Sequence, residues 1–193
     1  MNYLAHAYLS FNKPEVVVGN MISDFVKGNK RFDFPETIQK GIMLHRNIDT
    51  FTDEHAATKK AKQVFKSAVR LYAGAFVDIV YDHFLALDTS EFSDESLLKF
   101  SLSVYEILDA HQSGLPEKFI RTFHYMQQEN WLYNYRSAWR IEKSFKGLLY
   151  RAKYLTEDIS VFDCFQKNYE YLKECYETFF PEVKSFAFNR LAS

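Results

Sequence analysis

Long runs of this chain place an apolar residue every three or four positions, and almost nothing interrupts them: 193 residues contain only six Gly and four Pro. Near the C-terminus, Leu155, Ile159, Phe162, Phe165, Tyr169, Leu172, Tyr176 and Phe179 form one such series, expected to end ahead of Pro181. That period belongs to amphipathic helices, whereas a sandwich or barrel of this length needs far more turn residues. The expected fold class is therefore all-α, a single-domain helical bundle spanning residues 1–193. With 19 Phe and 13 Tyr, its core is expected to be rich in aromatic rings.

The punctuation predicts where helices begin and end. One is expected over Pro14–Lys27, stopped by Gly28-Asn29, and a second from Pro35 through His45 to about Thr52. A third is expected to run from about His55 to Leu85, with Gly74 a mild interruption and Val64, Ala68, Leu71 and Ala75 on its inward stripe. Ser93-Asp94-Glu95-Ser96 reads as the capped start of a helix reaching Ala110, and Gly114-Leu115-Pro116 as a break. Further helices are expected from Glu117 and from Ser137 to Lys153.

Several function classes are excluded by composition. A net charge of −1 does not suit a general nucleic-acid binder, so no nucleic-acid partner is expected. No apolar run reaches the length of a membrane span, and Met1-Asn2-Tyr3-Leu4-Ala5-His6 lacks the pattern of a signal peptide, so a cytoplasmic protein with no membrane partner is expected. Cys164 and Cys175 have no metal-ligand spacing and are too few for a disulfide framework, so both are expected to be reduced. The sequence leaves the oligomeric state open.

Acids and histidines occupy positions where the period calls for core residues. On the third helix the stripe continues to Asp78 and Asp82, and the stripe beside it continues to His83. Elsewhere His45 and Asp49, Asn20 and Asp24, and Asn2 and His6 are each four apart, hence on one helix face, with Asp53 extending the second pair. A carboxylate turned inward loses several kcal/mol of hydration unless a cation or hydrogen bonds replace it, roughly by the general cost of burying charge. Any one of these residues is commonly a hydrogen-bonded core or surface group. Together, four paired faces that a bundle can converge suit a divalent ion such as Mn²⁺, Fe²⁺, Zn²⁺ or Mg²⁺.

The same stretches carry a resemblance. Asn2 to His6, Gly19-Asn20-Met21-Ile22-Ser23-Asp24-Phe25-Val26-Lys27-Gly28, His45-Arg46-Asn47-Ile48-Asp49 with Thr52-Asp53, Asp78 through Asp82-His83-Phe84-Leu85, and Glu129-Asn130-Trp131-Leu132 with Tyr135-Arg136 resemble the bacterial acyl carrier protein phosphodiesterases. That family looks distantly related to the HD-domain phosphohydrolases, although Asp82-His83 reverses the literal His-Asp order. The resemblance implies hydrolysis of the phosphodiester joining 4′-phosphopantetheine to a serine of holo-acyl carrier protein, with Mn²⁺ as the metal. It also implies His45, Asp49, Asp82, Asp24 and Asp78 as candidate metal ligands, and Asp24, His6 and His83 as candidate catalytic groups. Arg46 and Lys27 are candidate phosphate contacts. Acyl carrier protein is small and acidic, so Lys59, Lys60, Lys62 and Lys66, with Arg70 and no intervening acid, are candidate contacts to it. The alternatives are an HD-like phosphohydrolase of a nucleotide or other small phosphoester, and a non-catalytic carrier-binding module.

Overall fold

Apolar faces set at the helical period can be buried only against one another, and the computed structural model shows the resulting all-helical architecture. The structure describes residues 1–152 and 160–192. Among them are eleven α-helices and no strand: α1 (Tyr3–Tyr8), α2 (Pro14–Ile22), α3 (Glu36–Glu54), α4 (Ala56–Val69), α5 (Ala73–Leu87), α6 (Asp94–Ala110), α7 (Glu117–Gln128), α8 (Trp131–Asn134), α9 (Ala138–Arg151), α10 (Val161–Lys167) and α11 (Tyr169–Ala192). Short 3₁₀ turns link some of them. No helix among the described residues is long and apolar enough to cross a membrane.

Helix α5 is the axis of the bundle. From Phe76 to Ala86 only Asp78 is less than fully buried, because α1, α4, α9 and α11 pack around it. Its sequence is apolar nearly all round, as a helix enclosed on every side must be. The core around it is aromatic as expected: Phe65, Phe76 and Phe145 meet with ring centroids 5.0–6.0 Å apart, and Tyr81 stacks on Phe179 at 5.0 Å.

Helices α2 and α3 approach each other closely enough to bring backbone against backbone. A Cβ on Gly19 would stand 2.0 Å from the Ile38 carbonyl oxygen, and one on Gly41 would stand 2.4 Å from that of Val16. Only hydrogen fits at either position, so the two glycines let backbone pack on backbone. That crossing fixes α3 against the end of α2.

Four expectations are corrected. The first helix stops at Ile22, and Ser23–Phe25 continue as a 3₁₀ turn, which tightens the chain around Asp24. The long third helix is two: Arg70 takes φ 49°, Arg70–Tyr72 form a 3₁₀ turn, and Leu71 is 99 % exposed instead of inward. A non-glycine residue there stores about 1–3 kcal/mol of strain, and neither Gly nor Pro marks the break. The series near the C-terminus is also interrupted, at Asn168, whose side chain bonds back to the Cys164 carbonyl. Pro181 does not follow the last helix but lies inside it. Continuing past the proline costs about 3 kcal/mol of helix stability, offset by burying Val183 and Ala187. Lys153, Leu155 and Ile159 lie outside the described residues.

Other punctuation holds. Gly28 takes φ 57° at the predicted stop, and Ser93 and Ser96 cap α6 reciprocally. Cys164 and Cys175 are free.

Candidate metal centre

Three segments bring their side chains to one point. Helix α1 supplies His6, the 3₁₀ turn after α2 supplies Asp24, and α3 supplies His45 and Asp49 one turn apart. Single donor atoms of His6, His45 and Asp49 all lie within 4.8 Å of one another. His45 Nε2 is 3.1 Å from Asp49 Oδ2 and 3.3 Å from Asp24 Oδ1, while His6 Nε2 is 3.2 Å from Asp49 Oδ1. The two imidazoles stack at 3.8 Å, 12° from parallel.

The rings are oriented from behind. His45 Nδ1 lies 2.8 Å from the Asn20 carbonyl oxygen, so Nδ1 carries a proton and Nε2 is the nitrogen turned toward the cluster. Asn20 is itself buried, its amide donating to the His6 carbonyl and to Ser10 Oγ. The Gly19–Gly41 crossing, one residue away, sets the reach of that Asn20 carbonyl to His45.

His6 decides whether a cation fits. It is 3 % exposed, and neither of its ring nitrogens makes a directed hydrogen bond. Nε2 stands 3.2 Å from Asp49 Oδ1 but out of line for a hydrogen bond. Burial, and then the neighbouring His45, push its pKa down to about 4, so it is neutral at pH 7 with a lone pair to offer. An orphaned neutral imidazole beside a second imidazole and a carboxylate is a donor set for a divalent cation. Burial opposes the His45 imidazolium, but the Asp24 and Asp49 carboxylates outweigh it and raise its pKa to about 9. Asp49 is held far below the usual carboxylate range by His45 and His6 against burial, and Asp24 is lowered, chiefly by His45.

The other sequence candidates stand around this centre. Asp78 is not among the converging atoms; it receives the Met1 amino group at 2.9 Å, and that amine also lies 3.7 Å from Asp49. Asp82 is fully buried and accepts the backbone N–H groups of Asn2, Leu4 and Ala5 at 3.2, 2.7 and 3.2 Å. It thereby fastens the start of α1, which carries His6, onto α5. Burial still lifts its pKa, to about 7. His83 is not brought to the cluster either: Nδ1 bonds the Tyr135 carbonyl at 2.7 Å and Nε2 the Tyr169 hydroxyl at 3.1 Å. Arg46 Nη2 donates to the Val26 carbonyl at 2.9 Å and so ties down the turn that bears Asp24. Lys27 is exposed. On α4, Lys59, Lys60 and Lys66 are exposed, and Lys62 pairs with Asp53 at 2.7 Å.

A groove of about 590 Å³ shares Asp24 with the cluster and is lined also by Asp78, Arg140, Lys143 and Arg151. Tyr3, Tyr125, Trp131 and Tyr135 also line it. Arg140 is 4 % exposed, pairs with Glu129 at 2.7 Å and lies 4.2 Å over the Trp131 ring. Phe119 and Phe123, on the same stretch of chain, are core residues. Sequence reading missed the basic wall. Arg140, Ser144, Gly147 and Arg151 fall at steps of four, three and four, a polar face on α9 that the period alone could have revealed.

Comparison with known proteins identifies the family. The family model described as acyl carrier protein phosphodiesterase matches residues 1–183. A Klebsiella pneumoniae subsp. pneumoniae protein named acyl carrier protein phosphodiesterase is 30 % identical over 98 % of this chain and 99 % of its own length. One of the same name from Escherichia coli O6:H1 is 30 % identical over 95 % of each chain. No solved structure matches. With its histidines and acids converging on one point and a family match over nearly its whole length, the chain belongs to the acyl carrier protein phosphodiesterase family.

Proposed function

We propose that this protein is a metal-dependent phosphodiesterase that hydrolyses the bond between 4′-phosphopantetheine and the serine of holo-acyl carrier protein. Water adds across the phosphorus–oxygen bond; the serine oxygen leaves with a proton, giving apo-carrier protein and free 4′-phosphopantetheine. The observation that carries the reading is His6, a buried neutral imidazole without a hydrogen bond, facing His45 and Asp49.

His6, His45 and Asp49 would hold the cation, with Mn²⁺ as the proposed metal and Asp24 at the open side as a further ligand or as the group that positions the attacking water. A divalent ion bound there supplies Lewis acidity toward water and phosphate and offsets the phosphate charge. Asp24 is 72 % exposed and ionised at neutral pH, which suits a group that must accept a hydrogen bond from a water arriving through the groove. Tyr3 keeps its proton, since burial and the nearby Asp24 raise its pKa to about 12, and so offers a neutral donor on the groove wall. The groove, with Trp131 and Tyr125 along it and Arg151 in its wall, is the proposed channel for the pantetheine arm. Asp82 and His83 are assigned support roles, holding α1 and the Tyr135 segment on α5, and Arg46 is assigned to hold the Asp24 turn. Acyl carrier protein as substrate also implies a cytoplasmic setting.

Incubating the protein with holo-acyl carrier protein and Mn²⁺, followed by intact mass, tests the reading. Loss of the phosphopantetheine mass, abolished by a chelator and by Asp24→Ala, is the expected result. An unchanged mass with every divalent ion tried overturns it.

A further inference from the structure

A phosphodiester has two substituents, so a centre that cleaves one must leave room on both sides. The groove toward Arg140 and Arg151 is one exit from the cluster. The structure has a second depression, about 400 Å³, at the break between α4 and α5; Lys62, Lys66, Arg70 and Leu71 line it. Asp78 lies in the walls of both. The two depressions therefore share a wall at Asp78, whose carboxylate holds the Met1 amine that also lies 3.7 Å from Asp49.

The second exit has the chemistry of a protein contact. Leu71 is 99 % exposed and is the most exposed large apolar side chain among the described residues. It is held outward by the turn that begins at Arg70, whose left-handed backbone, φ 49°, is unfavourable for a residue with a Cβ. Backbone strain that holds an apolar side chain in water gains nothing for the folded chain alone, and it is the kind of feature that a partner repays. Lys62, Lys66 and Arg70 line the same depression, with Asp53 and Asp78; Lys62 pairs with Asp53 and Asp78 with the Met1 amino group, while Lys66 and Arg70 have no acidic partner among the described residues. An apolar side chain flanked by two such cations suits an acidic surface with an apolar pocket.

We propose that Leu71, framed by Lys66 and Arg70, is the docking contact for the acidic carrier protein whose serine carries the phosphodiester, with the prosthetic arm lying in the other groove. The proposal rests on the function proposed above and adds the orientation of the substrate: protein body over the α4–α5 break, arm toward α9. A leucine that becomes buried in such a contact adds apolar burial to the affinity, while the cations set the salt dependence and the encounter rate.

Calorimetric titration of holo-acyl carrier protein into the protein in the presence of chelator measures docking without turnover. Leu71→Ser is expected to weaken binding by about tenfold or more, the share of a well-buried anchor. Lys66→Glu with Arg70→Glu is expected to weaken it further and to flatten its dependence on salt. Leu102→Ser, which removes another exposed leucine on α6, is expected to bind as the unaltered protein does. Because Leu71 makes no core contact, thermal melting should be the same for Leu71→Ser. Equal affinity in Leu71→Ser and the charge-reversed protein, or no binding by the unaltered protein, overturns the proposal. Leu71-dependent binding by a protein that never releases the prosthetic group upholds the surface and overturns the reaction, so the two failures are distinguishable.

Discussion

His6 and His45 are chemically identical side chains 3.8 Å apart, yet their surroundings drive their pKa values in opposite directions, to about 4 and about 9. In the metal-free protein this has a definite consequence for stability. His6 has a folded pKa below its unfolded value near 6.5, so its unfolded form binds more protons between about pH 4 and 6.5 and stability falls as the pH drops through that window. His45 has a folded pKa above its unfolded value, so its contribution is complete below about pH 6.5 and is lost as the pH rises through about 9. The pair alone therefore places maximum metal-free stability near pH 6.5, and urea unfolding across pH 4–9 checks it. A profile still rising from pH 7 to 9 contradicts this assignment. At this scale the sequence was informative in part. The four-residue spacing of His45 with Asp49 is one helix face that turns both side chains to the cluster, whereas Asp24 reaches it from a 3₁₀ turn and Asn20 through its backbone carbonyl. Asp82 and His83 had equally good spacing and lie elsewhere, because period tells which residues point inward and not which inward residues meet.

Helices carry these side chains, and glycine decides how closely two of them approach. Gly41→Ala puts a methyl group 2.4 Å from the Val16 carbonyl oxygen, backbone against backbone, so the helices must separate. A loss of more than about 2 kcal/mol of stability is expected by overpacking, together with weaker metal binding as His45 moves off Asn20. Denaturant unfolding and Mn²⁺ titration of Gly41→Ala read both effects; native-like values would detach the crossing from the site. Gly147 is the opposite case. A Cβ there meets nothing within 4 Å, and the residue lies in the groove wall on α9. Gly147→Leu should raise helix stability by about 0.8–1 kcal/mol while filling the channel. The melting temperature should rise and KM for holo-carrier protein should rise with it, whereas a lower melting temperature or an unchanged KM would refute the groove assignment. The helix breaks were the least legible elements. Arg70 and Asn168 sit within helical patterns; Asn168 ends its helix locally, by bonding back to the Cys164 carbonyl, and Arg70 by taking a left-handed φ.

Across the whole molecule, α5 organises the centre without contributing an atom to the converging set. Asp82 fastens α1 to it, α1 presents His6, and α2 with α3 close over the top. Because the unfolded chain has no such convergence, a bound ion stabilises the folded state by linkage, about 2.7 kcal/mol at a free concentration one hundred times its dissociation constant. Melting temperature should accordingly climb with Mn²⁺ in the unaltered protein and stay flat in His45→Ala. All-helical architecture and the polar pairs were legible because both follow from local spacing. The groove and the Leu71 knob were not, since each depends on where separate helices come to rest.

The most direct test of the account compares two histidines that the sequence alone could not rank. Mn²⁺-dependent release of 4′-phosphopantetheine from holo-acyl carrier protein is measured for His6→Gln and His83→Gln, with folding verified by circular dichroism. The account expects His6→Gln to lose about 100-fold or more in activity and to need more Mn²⁺ for half-saturation. It expects His83→Gln, whose ring nitrogens serve Tyr135 and Tyr169, to keep most of its activity and an unchanged Mn²⁺ requirement. Full activity in His6→Gln with loss in His83→Gln would contradict the assignment of the metal centre.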